Sequence, residues 1–282
     1  MTTLQAVILG LVQGLAEFLP ISSSGHLILT RALLGISDAA ANSGAYMMLD
    51  ILLHAGTLVA VLVVFWKDWW EILKNPFRSK TLLLLFIASL PALGVAVLLD
   101  DLLDTFFTGW FLGVSFLVTA FFMFIAETVS RKMRSKAHRE VGFKNAIVMG
   151  IMQAIALLPG VSRSGSTLLG GVSSGLDRKH AAKFAFMMSA PAIVGSLLIE
   201  GYSAYKDNLF ASLELVPTLV GMLVAAVSGY LAIRFMLKLI SRISLNWFAL
   251  YVALIGIAVL LLQMSGFTGL PAFELPQLIA AG

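Results

Sequence analysis

Gln13-Gly14-Leu15-Ala16-Glu17-Phe18-Leu19-Pro20-Ile21-Ser22-Ser23-Ser24-Gly25-His26 is the stretch that decides how this chain is read, because the chain repeats it. A shift of 140 residues sets Gly10, Gln13, Ala16, Ser22, Ser24, Gly25 and Leu29 on Gly150, Gln153, Ala156, Ser162, Ser164, Gly165 and Leu169. Ile21 meets Val161, and Pro20 meets Pro159 with a slip of one. The copies part company at Glu17, Ser23 and His26, which are answered by Leu157, Arg163 and Ser166. A duplicated scaffold whose copies carry different polar groups points to one composite site built from both halves.

Composition names the solvent. Hydrophobic residues make up 59% of the 282, charged residues 12%, and the mean hydropathy is +0.95. A soluble domain carries roughly twice that charged fraction, so an integral membrane protein is expected. There is no cysteine, which removes disulfide and thiol chemistry and leaves the redox compartment open. The first residues lack a basic n-region and a small-residue cleavage site, so no cleaved signal peptide is expected.

A helix needs about 20 apolar residues to cross hydrocarbon. Six stretches qualify: 46–66, 81–99, 108–127, 184–201, 215–237 and 247–264. Residues 4–19 and 25–34 form two shorter apolar arms broken at Pro20 and the serines; 145–158 and 165–173 repeat the pattern around Pro159-Gly160. Such arms read as re-entrant helix–loop–helix hairpins, tolerated where protein or a wet cavity surrounds the loop. Pro91, Pro191 and Pro217 fall inside spans, where proline is expected to kink a helix. The expected fold is an all-α polytopic membrane protein, a single membrane domain over 1–282. Repeat one covers 1–130 and repeat two 144–270, joined by a basic cytoplasmic loop, 131–143. Each half holds one re-entrant hairpin plus three transmembrane helices. An odd number of crossings inverts the second half, the plan that brings broken tips together near the midplane.

Charge gives the direction. Arg31 and Lys206 fall on one side with Asp100, Asp101 and Asp104; Arg163 falls on neither; all other lysines and arginines fall on the opposite side. By the positive-inside rule the basic side is cytoplasmic, so the first hairpin enters from outside and the second from the cytoplasm. Topology thus accounts for the pI of about 9.4, and no nucleic-acid partner is expected.

Gln13 and Glu17 are four apart and share a helix face. A carboxylate in the bilayer is costly unless paired or wet, so Glu17 is either a protonated strut or a working group. One of Ser22, Ser23 and Ser24 can cap the following helix, yet three serines before Gly25 and His26 exceed a cap. A helix start rich in small residues also receives phosphate on free N–H groups, and Ser162, Ser164 and Gly165 offer a second such start. His26 fits either a core histidine or a general acid/base. The planar fork of Arg163 suits phosphate oxygens, or equally an ion pair with Glu17 that closes the hairpins together. Asp50 and His54, also four apart, and Gln153 are candidates for supporting the site from behind; Asp50 could instead cap its helix. Trp66, Trp69 and Trp70 read as lipid-facing or interfacial.

At these residues the chain resembles the undecaprenyl-pyrophosphate phosphatase family, also called the bacitracin-resistance proteins. The first family motif is matched by Gln13, Glu17 and Pro20 to His26. The second is matched by Pro159-Gly160-Val161-Ser162-Arg163-Ser164-Gly165-Ser166-Thr167. Several members carry Glu where this chain has Gln13, so the tip has one carboxylate fewer. The resemblance implies a multi-pass enzyme of the bacterial inner membrane, its site facing the periplasm. It would remove the terminal phosphate of undecaprenyl diphosphate and so recycle the lipid carrier for peptidoglycan and other wall polymers. Bacitracin would thereby lose its target. The resemblance also implies a divalent cation, Mg²⁺ or Ca²⁺, for which Glu17 is the one candidate ligand.

Phosphoryl transfer needs an in-line nucleophile, neutralised equatorial oxygens and a protonated leaving group. Ser23 is assigned as nucleophile, being the serine whose repeat partner became Arg163; Ser22 or an activated water are the alternatives. Glu17 or His26 takes the proton, the other serving the leaving group or water. Arg163 neutralises phosphate charge, while Gln13, Ser22, Ser24, Gly25, Ser162, Ser164 and Thr167 bind it. The partners expected are a polyprenyl diphosphate lipid and the bilayer, with room for a homodimer. Broken inverted repeats are equally the architecture of secondary transporters, and a non-catalytic lipid-binding resistance factor is a third reading. A transporter would use Arg163 but has no need of a nucleophile beside a base.

Overall fold

Thr2 starts the first helix with a capping box: its hydroxyl accepts the Gln5 N–H at 3.2 Å while the Gln5 side chain accepts the Thr2 N–H at 2.8 Å. That satisfies two donors a helix start would otherwise leave unmet. The resulting computed structural model describes residues 1–36, 43–99, 109–267 and 269–273. Asp100, Asp101 and Asp104, and residue 108 of the expected third span, lie outside the described residues.

Helix α1 (Thr3–Phe18) ends ahead of Pro20, and α2 (Ser23–Leu33) follows. Then come α3 (Gly44–Val64), the short α4 (Trp66–Lys74), α5 (Lys80–Leu98) and α6 (Leu112–Met133). The pattern resumes with α7 (Phe143–Ile155), α8 (Arg163–Ser173), α9 (Arg178–Lys206), α10 (Leu215–Leu239) and α11 (Asn246–Met264). Among the described residues six helices, α3, α5, α6, α9, α10 and α11, are long and apolar enough to cross a membrane. Their outward faces carry Phe86, Leu223 and Leu254 exposed, a surface suited to lipid.

All six expected spans have a helical counterpart, and the differences lie at their ends. Helix α9 has 29 residues, about 44 Å at 1.5 Å per residue, well beyond the roughly 30 Å of hydrocarbon. Its Asp177 N-cap and its basic first turns sustain that polar overhang. Helix α6 carries Arg131 and Lys132 in its last turn, so the connection to α7 starts later than the expected 131. That connection is anchored by a bridge between His138 and Leu176. Pro217 sits in the first turn of α10, where its missing N–H costs nothing, and so is no interior kink; Pro91 and Pro191 lie inside α5 and α9.

The arms of the two hairpins pack against long helices at corresponding points. A Cβ on Gly10 of α1 would come within 2.4 Å of the Gly221 carbonyl oxygen on α10. A Cβ on Gly150 of α7 would come within 2.5 Å of the Ala88 carbonyl oxygen on α5. Each repeat glycine therefore marks a close helix crossing. Helices α6 and α11 pack together, as do α3 and α9, and these pairs enclose the two hairpin tips.

Candidate functional site

Ser22 caps α2, its hydroxyl accepting the Gly25 N–H at 3.3 Å. Ser162 caps α8 in the same way, accepting the Gly165 N–H at 3.1 Å. The next serine in each copy repeats too: Ser22 and Ser24 hydroxyls lie 3.4 Å apart, Ser162 and Ser164 hydroxyls 3.2 Å. One serine in each run is thus a cap, as a helix start rewards, and the others are left for the space between the tips.

The tips interlock. Ser164 donates to the Leu19 carbonyl at 2.9 Å, and the Gly160 N–H donates to the Ser24 hydroxyl at 3.3 Å. Gly160 has φ +84, a left-handed turn conformation that glycine adopts freely, and a Cβ on Gly25 would stand 3.3 Å from the Gly160 Cα. From α6, Thr119 accepts the Ser162 N–H at 2.9 Å. Ser22, by contrast, has φ +74 without being glycine, a conformation costing on the order of 1–3 kcal/mol. It is held by what surrounds it.

Everything at the centre converges on Glu17. Its Oε2 accepts the Ser23 hydroxyl at 2.6 Å and the Gln13 amide Nε2 at 3.2 Å. Its Oε1 accepts the Arg163 guanidinium from the other hairpin. Glu17 is 6% exposed and Gln13 fully buried, while Ser23 and Arg163 are half-buried. Three donors meet this one carboxyl group, and the guanidinium among them favours its ionised form over a protonated strut. The ion pair foreseen as one alternative for Arg163 is present.

His26 turns away from this cluster. Its Nδ1 donates to the Ser22 carbonyl at 2.7 Å, and its Nε2 shares a hydrogen bond with the Tyr251 hydroxyl of α11 at 2.9 Å. The ring stacks on Tyr251 at 5.7 Å and meets Phe116 edge-on at 5.3 Å. The structure thus brings Gln13, Glu17, Ser23 and Arg163 into one cluster, with His26 one turn along α2 beside Tyr251.

Other candidates lie elsewhere. Thr167 donates back to the Arg163 and Ser164 carbonyls of its own helix, so its hydroxyl is spent locally and does not face the tip. Asp50 pairs with Arg31, and His54 Nδ1 bonds the Asp50 carbonyl at 2.9 Å. Neither touches the cluster; Asp50 is held instead by Arg31 in the last turn of α2. Nor does Asp50 cap α3; the N-cap position is Ser43. Gln153 is buried with both amide atoms unpartnered among the described residues, as is the Ser166 hydroxyl.

The sequence reading passed over Tyr251, Thr119 and Glu127. Tyr251 lies 225 residues from His26, and nothing local announces the pairing. Glu127 did carry a signal, a lone carboxylate in an apolar span four residues before Arg131. It is 3% exposed and paired with both Arg131 and Arg178.

Residues 6–258 match the family model described as bacitracin resistance protein BacA. The chain belongs to the BacA family. Similar relatives cover nearly all of it. The undecaprenyl-diphosphatase of Carboxydothermus hydrogenoformans is 38% identical over 94% of this chain and 99% of its own length. Undecaprenyl-diphosphatase 4 of Bacillus thuringiensis subsp. konkukian is 40% identical over 94% and 99%. The undecaprenyl-diphosphatase of Methanosphaera stadtmanae is 36% identical over 93% and 98%. The BacA membership extends well beyond the two serine motifs, taking in α3 to α6 and most of α9 to α11.

Proposed function

We propose that this BacA-family protein hydrolyses undecaprenyl diphosphate to undecaprenyl phosphate and inorganic phosphate, recycling the lipid carrier of wall synthesis and conferring bacitracin resistance. The observation that carries the mechanism is the Glu17 carboxylate holding the Ser23 hydroxyl on one oxygen and Arg163 on the other. An incoming diphosphate competes with Glu17 for the guanidinium, whose fork matches phosphate oxygens. Once Arg163 turns to the substrate, Glu17 loses its counter-charge and becomes the stronger base. It then takes the Ser23 proton as Ser23 Oγ attacks the terminal phosphorus and the bond to the bridging oxygen breaks. Water next cleaves the phosphoserine, releasing phosphate. His26, fixed by Ser22 and Tyr251, serves the leaving oxygen or that water. Capping occupies Ser22, which supports Ser23 over Ser22 as nucleophile.

A divalent cation is part of the proposal. Among the described residues no three His, Asp or Glu side chains gather to hold one. However, Gln13 Oε1 is buried beside Glu17 with no partner, so Glu17 and Gln13 would hold a cation completed by substrate phosphates, as Mg²⁺ commonly is. Bound there, it would neutralise phosphate charge.

The paired crossings at Gly10 and Gly150 and the matching serine caps support the inverted repeat. The charge bias supports an inner-membrane protein whose first hairpin opens outward. Every site group named comes from one chain, so the proposed chemistry does not require a homodimer. The test is phosphate release from a prenyl diphosphate by purified protein in detergent. Turnover in the native protein is expected, and its absence with every prenyl diphosphate would hand the scaffold to the transporter reading.

A further inference from the structure

At the end of the molecule away from the tips, α6, the connection before α7, the start of α9 and the turn before α11 enclose a cavity of about 800 Å³. Six lysines and arginines line it against two carboxylates. Both carboxylates are already committed. Glu127 accepts Arg131, Arg178 and the Leu245 N–H at 2.6 Å. Asp177 accepts the His180 N–H at 2.9 Å and the His180 ring at 2.8 Å, with Arg139 at 3.8 Å. Arg178 is committed as well, donating to the Ser130 hydroxyl at 2.7 Å and to the Ile243 carbonyl at 3.0 Å.

That leaves Arg134, Lys179 and Arg242, all exposed at the rim of the open cavity, with side chains that meet no hydrogen-bond or ion-pair partner among the described residues. They come from three different segments: the end of α6, the first turn of α9 and the turn after α10. The positive end of the α9 dipole adds to their field. Met133, Leu176 and Ile243 give the same cavity an apolar wall. The positive-inside rule asks only for cations on this side. It does not ask that they converge, nor that a buried carboxylate and two arginines tie the enclosing helices together. Glu127 lies eight residues beyond Thr119 on α6, about 12 Å along the helix, so the cavity is separate from the tip cluster.

We infer that this cavity is a second binding site, for a phosphate-bearing anion, at the basic face of the protein. Basic pockets between transmembrane helices on the cytoplasmic side bind anionic lipid headgroups, and a free phosphate shares the recognised chemistry. The apolar wall of Met133, Leu176 and Ile243 favours the lipid source.

The test uses the full chain. Native mass spectrometry reads retention of phosphatidylglycerol by protein released from phosphatidylcholine nanodiscs containing it, and calorimetry reads binding of inorganic phosphate. Arg134→Gln/Lys179→Gln/Arg242→Gln should weaken binding at least tenfold. Because lost cations can disturb insertion, Ser241→Trp, which fills the cavity and keeps every charge, should do the same. Arg163→Gln should leave this binding intact, which separates it from the tip. Retention of phosphatidylglycerol alone identifies a lipid headgroup. Binding of inorganic phosphate with the same variant pattern identifies a free anion. Binding of neither, or binding indifferent to both cavity variants, overturns the site and leaves the cations as topology signals only.

Discussion

The two hairpins share a scaffold and divide the work. Both cap the second arm with a serine, both place a second serine hydroxyl within 3.4 Å of it, and both keep a buried glutamine on the first arm. They differ in strain and in satisfaction. Ser22 sits at φ +74 while Ser162 relaxes at φ −71. In the first hairpin Gln13 and Ser23 both serve Glu17, with only Gln13 Oε1 left over; in the second, where Leu157 replaces the carboxylate, both Gln153 amide atoms and the Ser166 hydroxyl lack a partner among the described residues. The repeat supplies the cap, the turn and the close approach, and the proposed chemistry rests on the positions where the copies diverge. Backbone strain held at a functional site is a recurring feature of such sites.

The comparison breaks most sharply at Ser23. Ser23→Ala should lower phosphate release by about 10³-fold or more while substrate still binds, as expected for a covalent nucleophile. Arg163→Lys follows, since loss of a phosphate-stabilising arginine costs about 10³–10⁵ in rate and lysine lacks the fork. Near-normal turnover in that variant would reduce Arg163 to an ion pair. Tyr251→Phe frees His26 Nε2 without removing the ring and should cost less, roughly 10-fold, a fraction of the 10²–10⁴ that a positioned acid or base contributes. An unchanged rate would make the His26–Tyr251 pair structural. Ser166→Ala should do least: turnover within twofold of the native rate, and thermal stability equal or slightly raised because an unsatisfied buried hydroxyl is removed. A large loss would mean that the second hairpin contributes more than Arg163.

The spans were legible because a long apolar run has few other uses, and the tips because the serine motif occurs twice. What escaped notice depends on contacts remote in sequence. The Tyr251 hydroxyl reaches His26 across the whole chain, and the Arg31–Asp50 pair withdraws Asp50 from the site. Polar helix ends also blurred the boundaries, since Arg131 and Lys132 extend α6 while hydropathy alone stops at 127. Glu17 could not be assigned from sequence alone: a lone carboxylate in an apolar helix reads equally as a neutral strut or an ion, and its Arg163 partner lies 146 residues away.

In the proposed mechanism Ser23 is the group that Glu17 activates once Arg163 has been drawn to the phosphate. Rapid-quench mixing of the native protein with prenyl diphosphate labelled on the terminal phosphorus tests it directly, with Glu17→Gln and Ser23→Ala alongside. The expected result is label on Ser23 within a single turnover, strongly reduced in Glu17→Gln and absent in Ser23→Ala along with phosphate release. Phosphate release by Ser23→Ala at the native rate, with no label on the native protein at any time point, would contradict it and make an activated water the nucleophile.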